Sequence, residues 1–248
     1  MFESFGLIAE VVSEDRRLFD SLSEVLPPDW RPGNGKTMAR FELTRDGAIT
    51  VDGAAVARAG ADRDASLIRL GSVVRHHLAQ HAPAHVFIHA GVVCAGGTLI
   101  VIPGSSRSGK TTLVAELVRA GATYYSDEYA PVDSEGMIHP YAKPLSIRSA
   151  GREELGALVP VPEVHTGRKP IRAGLIVLTS YEPGAGWRPR LCTRGEGALG
   201  LLEHTVPARS RPSQALGVVC KLAQEARVIS GKRGEASGVA DALLSMTA

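Results

Sequence analysis

Residues 102–114 read IPGSSRSGKTTLV, in which an apolar approach, a loop of small residues and a second apolar run follow one another. The segment from Gly104 to Thr111 matches the pattern G-x-x-x-x-G-K-[ST]. The apolar residues before it predict a strand, and those after Gly109 recur at helical spacing, so the loop joins a strand to a helix. This context favours a phosphate-binding loop over the alternative, a glycine-rich turn that binds nothing.

The residue types of the loop suit an anion. Glycines and small side chains let successive backbone N–H groups converge on phosphate oxygens, and the start of the helix adds unpaired N–H groups and a partial positive charge. Lys110 adds a mobile full charge for the β- and γ-phosphates, and the hydroxyl of Thr111 is placed to ligate Mg²⁺. The predicted nucleotide-binding residues are Gly104, Ser105, Ser106, Arg107, Ser108, Gly109, Lys110, Thr111 and Thr112.

Two adjacent acids, Asp127 and Glu128, end the apolar segment that follows the helix of the loop. Neighbouring strands of an α/β sheet present such ends to one crevice, so we expect both acids near the loop. Adjacent side chains on an extended segment point to opposite sides, which predicts one acid toward substrate and the other toward metal. The alternative is a solvated turn.

A single histidine, His89, interrupts the apolar stretch VFIHAGVV, where a charge would be costly. A lone buried histidine is most often a hydrogen-bonded core residue. The predicted hairpin, however, carries the strand of His89 beside the loop, which makes a contact to phosphate or to Asp127 a second interpretation.

The remaining segments predict an α/β protein with a small strand-rich region at its amino terminus. Short alternating segments before about residue 60 are separated by the turn-forming pairs Asp46-Gly47 and Asp52-Gly53. We expect an α+β region over 1–83 and the main domain over 84–248. The other predicted elements are a helix over 64–81, hairpin strands at 85–95 and 98–104, strands at 122–132 and 171–182, and two helices around a strand at 227–230.

The composition indicates an ordinary folded protein. Hydrophobic residues make up 44% of the chain, charged residues 22%, and the formal net charge is +2, so neither disorder nor a nucleic-acid footprint is indicated. Three distant cysteines lack metal-ligand spacing, the amino terminus lacks a basic start, and the apolar run 90–103 is too short to span a membrane. We therefore expect a cytoplasmic protein with neither nucleic-acid nor membrane partners.

A histidine-rich segment offers a competing metal site. Two of its histidines, His77 and His81, are one helical turn apart and could clamp a metal ion, with His76 and His85 nearby. Neither a cysteine nor a nearby acid completes a ligand set, so a polar helix face is the favoured interpretation.

The spacing of these features resembles the catalytic domain of HPr kinase/phosphorylase and its shorter relatives, which include kinases of free serine and of a lasso-peptide serine. In that family a histidine stands fifteen residues before the first loop glycine, as His89 does before Gly104. A pair of acids begins twenty-three residues beyond that glycine, at Asp127 here. The segment HPYAKPLSIR, residues 139–148, is similar to the pattern hPxPkPLslK of the shorter relatives. The resemblance is good over 84–150, faint beyond and absent before.

The resemblance implies a P-loop kinase core akin to phosphoenolpyruvate carboxykinase, which uses ATP and Mg²⁺ to phosphorylate a hydroxyl, commonly of serine, in a peptide, a protein or a small molecule. It implies that Asp127 is the general base, that Lys110 contacts phosphate and that Thr111 and Glu128 hold Mg²⁺. His89 would support catalysis, and Arg148 would be a further cation near the site. Homo-oligomer formation stays open. The competing function is a nucleotide-dependent switch or ATPase without a phosphoryl acceptor.

Overall fold

The chain consists of two compact units, Met1–Ala84 and His85–Ala248. The computed structural model describes residues 1–15, 19–58, 62–105, 108–147, 157–162 and 165–247. None of the helices in these ranges combines the length and the apolar character that crossing a bilayer requires.

The described part of the first unit is a six-stranded sheet with two helices. The strand order is β3-β1-β2-β4-β5-β6, antiparallel except for the pair β2–β4. Turns at both predicted Asp-Gly pairs connect β4 to β5 and β5 to β6, which confirms the strand-rich prediction. The elements are β1 (Phe2–Ser4), β2 (Leu7–Ser13), α1 (Phe19–Val25), β3 (Arg31–Pro32), β4 (Ala39–Leu43), β5 (Ile49–Val51), β6 (Ala54–Ala57) and α2 (Arg63–His81).

Helix α2 confirms the helix predicted over 64–81. Asp62 caps its first turn by accepting a hydrogen bond from the backbone N–H of Asp64. The rings of His77 and Phe41 are nearly perpendicular, with 5.2 Å between their centroids, and the centroids of the His77 and His81 rings are 4.3 Å apart. Within the described ranges, no group of three His, Cys, Asp or Glu side chains could hold a metal ion.

The second unit is a mixed α/β structure. Its predicted hairpin, loop helix and carboxy-terminal helix–strand–helix are all confirmed, whereas a helix at Arg194–Leu202 and a 3₁₀ turn at Val206–Ala208 were not predicted. The elements are β7 (Val86–Ala95), β8 (Thr98–Pro103), α3 (Lys110–Arg119), β9 (Thr123–Ser126), β10 (Tyr129–Val132), β11 (Met137–Ile138), β12 (Leu145–Ile147), β13 (Ala157–Val159), β14 (Ile171–Tyr181), β15 (Arg190–Leu191), α4 (Arg194–Leu202), α5 (Pro212–Glu225), β16 (Arg227–Arg233) and α6 (Ala236–Ser245).

The sheet of this unit sets the direction of the strands that carry the site. β7 pairs antiparallel with β8 on one side and with β9 and β10 on the other, so β8 and β9 run in the same direction. β14 is parallel to β8, and β16 is parallel to β14. The carboxyl ends of β8, β9, β14 and β16 therefore share one edge, as ligand-binding α/β sheets require.

The single strand predicted over 122–132 is two strands, β9 and β10. Asp127 and Glu128 form a bend between them, while both strands keep their pairing with β7. The two acids thus follow the carboxyl end of β9.

Alternate residues of the central strands face two separate hydrophobic cores. Val92, Leu99 and Val101 pack on the side that carries α4 and α5. Val93 and Ile100 pack on the side that carries α3 and α6. A sheet covered on both faces needs nearly continuous apolar strands, which explains the runs in β7 and β8.

Close packing of α3 on β7 depends on Gly91. A Cβ atom at this position would lie 2.6 Å from Cγ2 of Val114 and 3.9 Å from Cβ of Lys110. Because valine on a helix has one strongly preferred rotamer, Val114 cannot swing away. Gly91 therefore sets the distance between the strand and the helix that begins at the phosphate-binding loop.

We expect Gly91→Ala to destabilise the protein by about 1–3 kcal/mol, because the added methyl group overpacks the contact with Val114. Urea unfolding measures the change. In a Val114→Ala background the same substitution should cost less, since the clashing methyl group is gone. Gly217→Ala is the control, because it lies in an exposed turn of α5 with open space around it. Equal costs of Gly91→Ala in both backgrounds would contradict this account.

Candidate active site

The loop after β8 begins with backbone contacts to β7. The N–H of Gly104 donates to the carbonyl of His89 at 3.1 Å, and the N–H of Ser108 donates to the carbonyl of Ser105 at 3.3 Å. Gly109 precedes α3 in the left-handed region, with φ +78° and ψ 17°, and no side chain of a described residue caps this helix. A helix start without a side-chain cap leaves its first N–H groups for another acceptor, such as an anion.

Two further features of the loop fit a phosphate group. The hydroxyl Oγ of Ser108 is buried and has no hydrogen-bond partner among the described residues. A Cβ atom at Gly104 would lie 2.8 Å from that Oγ and 3.2 Å from Cδ of Lys110, so a larger residue at this position would crowd both side chains. Two other residues of the predicted loop, Ser106 and Arg107, lie outside the described residues, as does Arg148.

Lys110 is buried at the first position of α3, with 7% of its surface exposed. Its Nζ donates to the carbonyl oxygen of Ser105 at 2.6 Å. Burial lowers the pKa of Lys110 to about 8, although the charges of Asp127 and Glu128 oppose this shift. A buried ammonium held mainly by one carbonyl can gain from an anionic ligand.

Asp127 is 5% exposed and uses its two carboxylate oxygens differently. Oδ2 accepts a hydrogen bond from the hydroxyl of Thr111, the second residue of α3, at 3.1 Å. Oδ1 lies 3.0 Å from Nζ of Lys143 and 3.0 Å from the hydroxyl of Tyr124. The acid after β9 therefore contacts the first turn of the helix that follows the loop.

The expectation that Asp127 and Glu128 point to opposite sides is wrong. Oε2 of Glu128 lies 3.8 Å from Nζ of Lys143, which also contacts Asp127. Because the chain bends at these two residues, the alternation of an extended strand does not apply. The structure places Asp127 against the Thr111 hydroxyl, whereas the sequence assigned Thr111 and Glu128 to the metal. Both metal assignments stay predictions.

His89 contributes its backbone to the site. Its carbonyl accepts from Gly104, and its N–H donates to the carbonyl of His204 at 2.7 Å. Its half-buried ring lies 5.6 Å from that of Tyr129, the residue opposite it on β10. Its predicted side-chain contact with phosphate or Asp127 stays a prediction, and the predicted loop residue Thr112 is exposed.

Sequence reasoning missed Tyr124 and Lys143. The hydroxyl of Tyr124 lies 2.9 Å from the carbonyl of Lys143 as well as within reach of Asp127, so its single proton serves two acceptors. Burial, and next the charge of Asp127, raise the pKa of Tyr124. Lys143 is the one charged residue of the otherwise apolar segment YAKPL, but it lies fifteen residues beyond Glu128, so the sequence did not connect it to the acids. Nothing in the pattern separates Tyr124 from Tyr125.

Comparisons with known proteins leave the family open. No family model matches the chain, and no curated protein matches it significantly. A solved structure of the Hpr(Ser) kinase/phosphatase from Coxiella burnetii aligns over 65% of this chain and 99% of its own, at 14% identity and a TM-score of 0.36. So low a score does not establish a shared fold, and no function is taken from it.

The buried ammonium of Lys110 leads us to expect that affinity for magnesium-free ATP falls in alkaline solution. A bound phosphate raises the pKa of Lys110 above its value of about 8, so ATP binds the protonated form. Affinity should be constant between about pH 7 and about pH 8 and weaken above pH 8 by up to about tenfold per pH unit. The phosphate group of ATP loses its last proton near pH 6–7, before this range begins.

Calorimetric titration in the presence of a chelator measures this dependence. Lys110→Arg is the matched control, because a guanidinium stays charged throughout the range. An equal decline in affinity in the wild-type protein and in Lys110→Arg would contradict the assignment to Lys110.

Proposed function

We propose that this chain is an ATP-dependent kinase that transfers the γ-phosphoryl group to a hydroxyl acceptor. The observation that carries this proposal is the contact of 3.1 Å between the buried carboxylate of Asp127 and the hydroxyl of Thr111. A phosphate-binding loop alone supports binding. A carboxylate held at the start of the following helix supports transfer as well, because a base is then within reach of the group that attacks the phosphate.

The residues present also suit Mg²⁺. The ion prefers oxygen ligands, takes one or two of them from carboxylates and completes its shell with water and substrate phosphates. The hydroxyl of Thr111 with a carboxylate oxygen of Asp127 or Glu128 is such a set. When bound, Mg²⁺ would neutralise charge that develops on the transferred phosphoryl group.

In the proposed reaction, the backbone amides of the loop and Lys110 hold the phosphates of ATP. Asp127 accepts the proton of the acceptor hydroxyl while the hydroxyl oxygen forms a bond to the γ-phosphorus. The bond between that phosphorus and the bridging oxygen breaks, and ADP leaves with the electron pair. Lys143 and Tyr124 hold Oδ1, which leaves Oδ2 directed at the helix start.

The acceptor we propose is a serine-type hydroxyl of a peptide, a protein or a small molecule, as the family resemblance implies. His89 is proposed to support the phosphate or the base, and Arg148 to add a cation. The protein is proposed to act in the cytoplasm.

The direct test incubates the protein with γ-labelled ATP and candidate acceptors, namely free serine, serine-containing peptides and an HPr protein. A kinase moves the label to an acceptor, whereas a switch or an ATPase releases only inorganic phosphate.

We expect Asp127→Asn to lower transfer at least about 10²- to 10³-fold, with ATP affinity within a few-fold of wild type. Lys110→Ala should reduce both transfer and affinity.

The matched control is Glu135→Gln, an acid-to-amide change at a side chain that is 74% exposed. It should transfer phosphate at the wild-type rate. Parental activity in Asp127→Asn would remove Asp127 as the base.

The contacts of Lys143 lead us to expect a role in orienting the base. Lys143→Met should lower kcat about 10- to 100-fold and change the KM for ATP little, because Asp127 loses one of the groups that hold Oδ1. Lys143→Arg should recover part of kcat. Lys221→Met is the control, since this lysine lies 3.9 Å from a solvent-exposed glutamate outside the site. A parallel loss of kcat and ATP affinity would indicate a general structural defect instead.

A further inference from the structure

A buried arginine lies against the outside of the phosphate-binding loop. Arg233, the last residue of β16, is 3% exposed. Its Nη2 donates to the carbonyl of Ser108 at 3.0 Å, and its Nη1 donates to the carbonyl of Gly234 at 3.3 Å. Its Nε is buried and has no hydrogen-bond partner in the part of the chain that the structure describes. The buried guanidinium is therefore held by backbone carbonyls.

The charge of Arg233 lacks a close counter-ion among the residues the structure describes. Burial lowers the pKa of Arg233, and the charge of Glu235 opposes this only through space. The carboxylate of Glu235 accepts a hydrogen bond from the hydroxyl of Tyr181 at 3.0 Å, while the guanidinium carbon lies 5.4 Å from the centre of that tyrosine ring. A buried cation in this state is destabilising unless an anion binds nearby.

Arg233 lies at the loop because of the direction in which its strand runs. β16, β14 and β8 are parallel, so the last residue of β16 lies at the same sheet edge as the loop that follows β8. A Cβ atom at Gly109 would overlap Nη2 of Arg233, so the guanidinium fills the space that a side chain there would need. The left-handed φ of +78° favours glycine at position 109, and a side chain there would in addition displace the guanidinium of Arg233.

The hydrogen bond from Arg233 acts on one particular peptide unit. The carbonyl of Ser108 and the N–H of Gly109 belong to the same peptide, which is trans, so the two groups point in opposite directions. When a donor binds the carbonyl, the peptide is polarised and its N–H becomes a stronger donor. A phosphate-binding loop needs its carbonyls outward and its N–H groups inward.

We propose that Arg233 is a positioning residue of the phosphate-binding loop. It holds the carbonyl of Ser108 outward, which directs the N–H of Gly109 to the opposite side, and its buried charge adds to the attraction for a polyphosphate. This inference rests on the proposed function, since the polyphosphate is that of ATP. Arg233 acts through the loop and is not assigned a step in the transfer.

The test compares Arg233→Met, which lacks the charge and the donors, with Arg233→Lys, which keeps the charge but lacks the planar pair of donors. Calorimetry with ATP and with inorganic tripolyphosphate measures affinity, and thermal unfolding measures stability without ligand. We expect the affinity of Arg233→Met for both anions to fall about 10- to 100-fold and that of Arg233→Lys about 3- to 10-fold. The stability of both variants without ligand should be equal to or above that of the wild type.

Arg227→Met is the matched control, because this arginine is exposed at the other end of β16. It should bind both anions as the wild type does. Wild-type affinity in Arg233→Met and Arg233→Lys would overturn the proposal, as would a loss of stability with unchanged affinity. If Arg233→Met does not fold, the affinity of Arg233→Lys decides alone.

The same measurements distinguish a failure of the proposed function from a failure of the role of Arg233. If the wild-type protein binds tripolyphosphate but transfers no phosphate, the kinase proposal falls and the role of Arg233 is still measured by tripolyphosphate. If the wild-type protein binds neither anion, both proposals are overturned.

Discussion

The hydrogen bond between Thr111 and Asp127 joins the helix that follows the loop to the acid that follows β9, and it depends on the direction of two strands. β8 ends at the loop and β9 ends at the acid, with β7 between them and α3 as the connection. Because β8 and β9 run the same way, a helix of ten residues is enough to bring the chain back to the sheet. Gly91 lets that helix pack close to β7, so the hydroxyl and the carboxylate meet.

Burial makes the charges of the site interdependent. Lys110 and Asp127 are almost completely buried, and Lys143 joins Asp127 to Glu128. A buried carboxylate needs donors on its oxygens, which the hydroxyls of Thr111 and Tyr124 and the ammonium of Lys143 supply. Groups that are already oriented need little rearrangement when charge develops nearby, and this is the form of electrostatic catalysis that suits phosphoryl transfer.

Local sequence patterns predicted the elements of the site, and tertiary contacts decided its details. The loop, its helix and the hairpin are legible because glycines and apolar spacing act over a few residues. The contacts of Lys143 with Asp127 and of Arg233 with Ser108 join residues sixteen and 125 positions apart, which no local pattern encodes. The bend at residues 127–128 was missed because strand alternation was extended past the end of β9.

The polar groups around the loop bear on the choice between a kinase and a nucleotide switch. Lys110 donates to the carbonyl of Ser105, while Oγ of Ser108 and Nε of Arg233 have no partner among the described residues. An anion would accept hydrogen bonds from these groups, and both functions need the loop to bind an anion. Only transfer also needs a base for an acceptor hydroxyl, whereas a carboxylate beside Thr111 can hold Mg²⁺ in a kinase and in a switch alike. The donors of Thr111, Tyr124 and Lys143 fix the direction of the two oxygens of Asp127, and the two functions differ in whether one of these oxygens also accepts the proton of an acceptor hydroxyl.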